Sequence, residues 1–107
     1  MKQIWVEPQE IWIDAKFSTS EEALSAMANH LVNRGICKPS FVEAILNRER
    51  EFPTGLETLS GIGVALPHTD AEHVLCDRLA IAILEREIPF GAMGFEQEKV
   101  EVKLIVM

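Results

Sequence analysis

A histidine that directly follows a proline is the residue of this chain best suited to chemistry. His68 comes after Pro67 in the run Gly61–Asp70 (Gly-Ile-Gly-Val-Ala-Leu-Pro-His-Thr-Asp), where a short apolar stretch ends. A neutral imidazole keeps a free lone pair on one ring nitrogen, and that lone pair can attack a phosphorus atom. These residue types and their order indicate a phosphoryl-accepting histidine. The alternative is a structural or surface histidine, because a motif without structural context is weak.

Phosphoryl transfer also needs in-line positioning and donors for the phosphate oxygens. Thr69 offers a hydroxyl, and the backbone N–H groups of residues 69–71 lie beside it. Arg48 ends a predicted helix and adds a guanidinium, which can bind phosphate oxygens in bidentate fashion. Asp70 and Thr54 are further polar residues that we expect as accessory groups. For Arg48, the alternative role is a positive charge that complements a helix dipole.

The run His68–His73 (His-Thr-Asp-Ala-Glu-His) raises a second kind of chemistry, metal-dependent hydrolysis. Zinc sites usually draw ligands from separate elements as well, and no Cys pair or helical His-x-x-x-His supports such a site. His30 is a distant third nitrogen, but we expect it to be solvated or half-buried in the first helix. Nothing marks Asp70 and Glu72 as a desolvated acid–base pair. We therefore expect no metal ion here.

The composition predicts one small globular domain over residues 1–107 with an acidic surface. Hydrophobic residues make up 48% of the chain and charged residues 25%, which is enough for a small core. Ten Lys and Arg against seventeen Asp and Glu give a net charge of −7. That charge argues against nucleic-acid binding and favours a basic protein partner.

The chain lacks the features of a membrane-inserted or secreted protein. Its longest apolar runs, Leu79–Leu84 and Leu104–Met107, are too short to span a bilayer. Its N-terminus has no signal-peptide core. We expect Cys37 and Cys76 to be reduced thiols and the protein to be cytoplasmic.

A capping signature marks the start of a first helix. Ser18–Ser20 offer hydroxyls, and Glu21 and Glu22 each lie three residues after one of them, as a capping box requires. Apolar residues then recur at helical spacing until Arg34-Gly35.

A second helix is predicted from Pro39 to residues 48–51. Proline suits the first turn of a helix, and Ser40 with Glu43 repeats the capping pattern. The helix should end there because the residue before Pro53 is pushed out of helical geometry.

The second half of the chain changes to the pattern of strands. Buried strands are predicted at 62–66, 78–85 and 100–107, with a turn over 89–94. Near the N-terminus, Ile4–Val6 and Ile11–Ile13 are two further short apolar groups that suit an edge of the sheet.

These elements predict an α/β fold in which a mixed β-sheet is flanked by helices. Two helices are too few to cover both faces of such a sheet. We therefore expect that a segment beyond Met107, or another chain, supplies the remaining cover.

Two segments resemble the fructose/mannitol-type enzyme IIA domains of the bacterial phosphotransferase system. Gly61-x-x-Val64-Ala65-Leu66-Pro67-His68 is similar to the phosphorylation-site signature of that family. Arg48–Leu56 (Arg-Glu-Arg-Glu-Phe-Pro-Thr-Gly-Leu) is similar to the family as well, particularly to its galactitol-type members. The resemblance spans most of the chain, and it implies the α/β sandwich of that family.

The resemblance also implies a function. In that family, the histidine matching His68 accepts a phosphoryl group from the phosphocarrier protein HPr and passes it to a cysteine of a IIB domain. The arginine matching Arg48 steadies the phosphohistidine, and no metal or organic cofactor is implied. The alternative is a IIA-like regulatory module whose phosphorylation controls a transcription regulator or another protein partner.

The chain departs from the family pattern at two places. Thr69 stands where the family usually has a very small residue such as glycine. Family domains also continue past the strand that matches residues 100–107, and a second active-site histidine commonly lies in that continuation. The sequence leaves the sugar and the oligomeric state open.

Overall fold

Two helices pack against one face of a five-stranded sheet in this computed structural model, which describes residues 6–107. The helices are α1 (Ser20–Asn33) and α2 (Phe41–Glu51). The strands are β1 (Ile11–Ala15), β2 (Gly55–Glu57), β3 (Gly63–Ala65), β4 (Ile81–Ala92) and β5 (Phe95–Val106). Short 3₁₀ turns lie at Pro8–Glu10 and Ala71–His73. The predicted α/β class is confirmed.

The sheet mixes parallel and antiparallel pairs. β4 pairs with β1 in parallel and with β5 in antiparallel fashion. β3 lies parallel to β5 and antiparallel to β2, and β2 meets the far end of β4 again at Gly55 and Ala92. The histidine-bearing segment leaves the end of β3, which is a short strand held between two neighbours.

Alternation along β4 decides which side of the sheet becomes the core. Ala82 and Leu84 are buried against the helices, whereas Ile81 and Ile83 point to the other face, because side chains alternate along a strand. On that other face the register brings together a row of apolar residues, one from each strand: Ile13, Ile83, Leu104, Val64 and Leu56. These side chains stay partly or largely exposed within the described part of the chain.

The predicted cap of α1 is confirmed, and that of α2 is wrong. Thr19 Oγ1 accepts a hydrogen bond from the N–H of Glu22 at 3.1 Å. Pro39 precedes α2 instead of lying in its first turn, and Ser40 makes no capping bond. The backbone of Ser40 is already helical (φ −63°, ψ −17°), whereas a capping residue needs an extended backbone to reach the N–H groups ahead of it.

The strand predictions are right in place and wrong in extent. The strand predicted at 78–85 begins at Ile81 and runs to Ala92, so Pro89 lies inside β4 and not in a turn. β5 pairs with one side of β4. The other side pairs with β1 as far as Leu84 and beyond that only with β2, at Ala92. A proline is tolerated there because that stretch is an edge. Ile11–Ile13 form the predicted edge strand, whereas Ile4 and Trp5 lie outside the described residues.

Candidate active site

His68 is presented at the surface by a closely packed strand end. A side chain at Gly63 would overlap the backbone carbonyl of Glu101 on β5, so only glycine lets β3 approach β5 so closely. Ala65 and Pro67 are buried, whereas His68 is exposed. Because Pro67 restricts the backbone at the exit of the strand, the histidine extends from a firm base.

The ring of His68 makes one hydrogen bond, which assigns its tautomer. Nδ1 lies 2.8 Å from the carbonyl oxygen of Leu66. A carbonyl can only accept, so Nδ1 carries the proton and Nε2 keeps the lone pair. No described residue bonds to Nε2. The nitrogen available as a nucleophile is therefore Nε2.

Arg48 reaches the segment that follows His68, and its guanidinium is held between an aromatic ring and a carboxylate. Its guanidinium lies 5.1 Å from the centre of the Phe52 ring, and one terminal nitrogen is 3.5 Å from Asp70 Oδ1. The Nε of Arg48 is buried and has no hydrogen-bond acceptor among the described residues. A long ion pair between half-exposed and exposed groups is weak, so Arg48 can exchange Asp70 for a stronger anion.

The two threonines predicted at the site differ in their surroundings. Thr69 is half-buried, lines a cavity of about 120 Å³ beside His68, and its hydroxyl has no partner among the described residues. Thr54 is only 2% exposed, and its hydroxyl is bonded to Glu49 and to the N–H of Leu66. His68 and Thr69 thus share a cavity, Arg48 pairs with Asp70 on the same segment, and Thr54 is bonded to that segment at Leu66.

Glu49 is a residue that the sequence reasoning missed. It is buried, and its carboxylate accepts hydrogen bonds from both the N–H and the hydroxyl of Thr54, each at 2.8 Å. Burial raises the pKa of Glu49, although the bonds from Thr54 and the nearby His68 oppose that shift. A signal was present: Glu49 follows Ile45 and Leu46 at helical spacing, which places it on the buried stripe of α2.

The other titratable residues near His68 include a hydrogen-bonded histidine and two free thiols. His73 Nδ1 lies 2.8 Å from Ser40 Oγ, which ties the Ala71–His73 turn to the start of α2. Cys37 and Cys76 are both free thiols, and burial, with a smaller effect of Cys76, raises the pKa of Cys37 to about 11. In residues 6–107, no three His, Cys, Asp or Glu side chains are grouped so as to hold a metal ion.

Comparison with known proteins identifies the family of this chain. A sheet that presents a histidine with a free Nε2 beside an arginine suits a domain that carries a phosphoryl group. The profile of the family described as "Phosphoenolpyruvate-dependent sugar phosphotransferase system, EIIA 2" matches residues 5–107. The chain belongs to this family, as its resemblance predicted.

Curated relatives include proteins of mannitol and galactitol systems. The chain is 31% identical to the mannitol-specific EIICBA component of Escherichia coli K12 over 99 residues, which is 92% of this chain and 15% of that protein. It is 33% identical to the galactitol-specific EIIA component of Escherichia coli O157:H7 over 57 residues, which is 53% of this chain and 37% of that protein. The chain thus spans a minor part of these relatives.

Solved structures have the same fold. The complex of enzyme IIA mannitol with phosphorylated enzyme IIB mannitol from Escherichia coli matches with a TM-score of 0.79 and 26% identity, over 97% of this chain and 69% of that one. The crystal structure of IIA mannitol from Escherichia coli matches with a TM-score of 0.75 and 28% identity, over 94% and 67% of the two chains. None of the helices described here has the length and apolar character needed to cross a membrane.

Proposed function

We propose that this domain is a phosphocarrier of a sugar phosphotransferase system and that His68 accepts the phosphoryl group on Nε2. The observation that carries the proposal is an unbonded Nε2 on His68 together with a guanidinium, that of Arg48, which pairs with Asp70 two residues further on and has an unused buried donor. The family membership supports the same role.

The transfer is a substitution at phosphorus. The lone pair of His68 Nε2 attacks the phosphorus of phosphorylated HPr, and the phosphorus–nitrogen bond of the donor histidine breaks as the new one forms. The proton stays on Nδ1, so the product ring is cationic. The carbonyl of Leu66, 2.8 Å from Nδ1, stabilises that cation because hydrogen bonds to charged groups are the stronger ones.

Arg48 and Thr69 would bind the transferred phosphate. The phosphate carries more negative charge than a single carboxylate, so Arg48 would leave Asp70, 3.5 Å away, and turn its donors to the phosphate oxygens. Thr69 and the backbone N–H groups after it would supply neutral donors. Asp70, an accessory group, would hold Arg48 while the site is empty.

The second half of the cycle would pass the phosphoryl group to a cysteine of a IIB component. One solved relative is a complex of IIA mannitol with phosphorylated IIB mannitol, which supports a IIB partner here. We place this relay in the cytoplasm. The net charge of −7 favours partners whose docking surfaces are basic.

The test is phosphorylation from labelled phosphoenolpyruvate with enzyme I and HPr. We expect acid-labile, base-stable label on the wild type and none on His68→Gln. His73→Gln is the matched control, because its ring lies on the same segment but is bonded to Ser40. Label that survives in His68→Gln, or its absence from the wild type, would contradict the proposal.

Adding a purified IIB component separates transport from regulation. Loss of label from His68 with its appearance on a IIB cysteine supports the carrier role. Label that stays on His68 contradicts the carrier role and favours a regulatory module.

A further inference from the structure

A buried acid and a buried threonine lie directly behind the histidine segment. Glu49, at the end of α2, is 9% exposed, and Thr54, just before β2, is 2% exposed. Glu49 Oε2 accepts a hydrogen bond from the N–H of Thr54, and Oε1 accepts one from the hydroxyl of Thr54, each at 2.8 Å. One carboxylate thus holds both the backbone and the side chain of Thr54.

The hydroxyl of Thr54 passes this constraint on to the segment that carries the histidine. A hydroxyl has one proton, and Thr54 donates it to Glu49, so its lone pairs are left to accept. The N–H of Leu66 donates to Thr54 Oγ1 at 3.0 Å. Leu66 is also the residue whose carbonyl binds His68 Nδ1 at 2.8 Å.

Three links therefore connect α2 to the imidazole: Glu49 to Thr54, Thr54 to Leu66, and Leu66 to His68. The backbone of Leu66 is held at its N–H by Thr54, and this restrains the position of the residue whose carbonyl binds His68. The carbonyl in turn decides which ring nitrogen is protonated. A free histidine ring populates both neutral tautomers, so a fixed acceptor is needed to select one.

We infer that Glu49 and Thr54 are positioning residues that hold His68 with its proton on Nδ1 and its Nε2 lone pair facing the donor. This inference rests on the proposed function, because Nε2 is the nucleophile there. Neither residue touches the phosphate. Their effect reaches His68 through the backbone of Leu66.

Glu49 is buried although it is a carboxylic acid. Burial raises its pKa, while the hydrogen bonds from Thr54 and the nearby His68 oppose that shift. Burying a carboxylate is costly, and an apolar pair could pack here equally well, which argues for a role beyond stability.

The alternative to a positioning role is that Glu49 and Thr54 only stabilise the fold. Both interpretations predict that Thr54→Val lowers the stability of the fold. Only the positioning role predicts a change in the tautomer of His68 in a protein that is still folded. Only that role also predicts rescue by Thr54→Ser, which restores the hydroxyl.

The experiment compares Thr54→Val, Thr54→Ser and the matched control Thr58→Val. Like Thr54, Thr58 donates its hydroxyl in a hydrogen bond, here to the backbone carbonyl of Ile62 at 2.8 Å. Unlike Thr54, it lies in the exposed loop between β2 and β3. Long-range ¹⁵N–¹H NMR reads the tautomer of His68, and rapid-quench kinetics gives the rate of phosphorylation by phospho-HPr. Circular dichroism identifies the folded variants.

We expect Thr54→Val to populate both tautomers and to lose about tenfold to hundredfold in rate, since small misplacement of a reacting group costs this much. Thr54→Ser and Thr58→Val should keep the wild-type tautomer and a rate within about threefold of wild type. A wild-type tautomer and rate in folded Thr54→Val would overturn the inference.

Glu49→Gln serves as the second variant if Thr54→Val does not fold. The glutamine has the same shape but places an NH2 group where one of the two carboxylate oxygens stands, so it cannot accept at both of the positions that face the N–H and the hydroxyl of Thr54. We expect a mixed tautomer and a lower rate, and an unchanged tautomer would overturn the inference. The NMR measurement needs no donor protein, so a wild type that is never phosphorylated would overturn only the proposed function.

Discussion

The surroundings of the Arg48 guanidinium bear on whether it can bind a phosphate. It packs over Phe52, faces Asp70 at 3.5 Å, and keeps a buried Nε–H without an acceptor in the described part of the chain. A lysine could supply the charge at this place but not the planar set of donors. If Arg48 binds a phosphate, lysine should therefore be a poor replacement for it.

Arg48→Lys should lower the rate of phosphorylation of His68 by about tenfold to hundredfold, because a hydrogen bond to a charged group contributes about 1.5–3 kcal/mol. The measurement is the single-turnover rate with phospho-HPr. Arg50→Lys is the matched control, since Arg50 lies on the same helix end but pairs with Asn47 and Glu21. Equal rates for Arg48→Lys and wild type would contradict a phosphate-binding role.

Glu10 is a buried acid far from His68 in the sequence, and it joins the N-terminal segment to α1. It is 0% exposed and accepts hydrogen bonds from His30 Nε2 at 2.9 Å and Arg34 Nε at 3.1 Å. Burial acts to raise the pKa of Glu10, but the bonds and charges of Arg34 and His30 outweigh it and lower the pKa below 4.5. Folding therefore favours the ionised form of this carboxyl.

The sign of this shift predicts a pH dependence. A carboxyl with a lowered pKa stabilises the fold above its unfolded value, and the stabilisation is lost as the pH falls through 4.5 towards the folded pKa. Glu10→Gln should lower the free energy of unfolding by about 1.5–3 kcal/mol near neutral pH, because it removes the charged acceptor while the half-exposed Arg34 and His30 stay solvated. Urea titrations should show this difference shrinking below about pH 4.5, while exposed Glu43→Gln stays close to wild type. A stability difference between Glu10→Gln and wild type that does not change with pH would contradict the lowered pKa of Glu10.

At the scale of elements, each helix is started in a different way. α1 begins with a side-chain cap, because Thr19 has an extended backbone and its hydroxyl accepts the N–H of Glu22. α2 has no such cap, since Ser40 is bonded to His73. The start of α2 is thereby tied to the turn that follows His68.

Thr19→Ala should lower the free energy of unfolding by about 1 kcal/mol, the usual contribution of a capping hydroxyl. Ser18→Ala is the control, because this exposed neighbour makes no side-chain hydrogen bond in the described residues, and we expect a change within about 0.5 kcal/mol. Chemical denaturation of both variants would measure the difference. Equal losses would mean that the hydroxyl of Thr19 does not cap α1.

At the scale of the whole molecule, the sheet has one covered and one uncovered face. Leu84 and Ala82 lie under the helices, whereas Ile13 is 71% exposed at the end of the apolar row that crosses the other face. A row of this kind is more apolar than most exposed surface. The two faces should therefore respond differently to the same kind of substitution.

Leu84→Ala should cost about 2–5 kcal/mol, since it leaves a cavity in the core. Ile13→Ala removes a similar number of carbon atoms from an exposed position and should change stability by about 0.5 kcal/mol or less. Guanidinium unfolding curves of the two variants test the assignment of the faces. A loss for Ile13→Ala well above about 0.5 kcal/mol would mean that the face opposite the helices is covered in solution.

Local signals in the sequence were sufficient for most of the elements, although not for β2 or for the second half of β4, and they indicated His68 as the central residue of the candidate site. The Thr19–Glu22 spacing placed the start of α1, the apolar runs placed β1, β3 and β5, and the Pro-His pair placed His68 at the end of a strand. Arg48 followed from the helix end that carries it. These features depend on neighbours within a few residues, which is why periodicity and capping rules reach them.

Tertiary structure decided what depends on residues far apart in the chain. Nothing in the sequence indicated that the hydroxyl of Ser40 would bond to His73, or that Pro89 would lie where β4 is paired with β5 alone. The tautomer of His68 depends on where Leu66 is held, and Leu66 is held by Thr54 and, through it, by Glu49. Sequence thus predicted His68 as the nucleophile, and only the fold showed which of its ring nitrogens is free, because that depends on hydrogen bonds between separate elements.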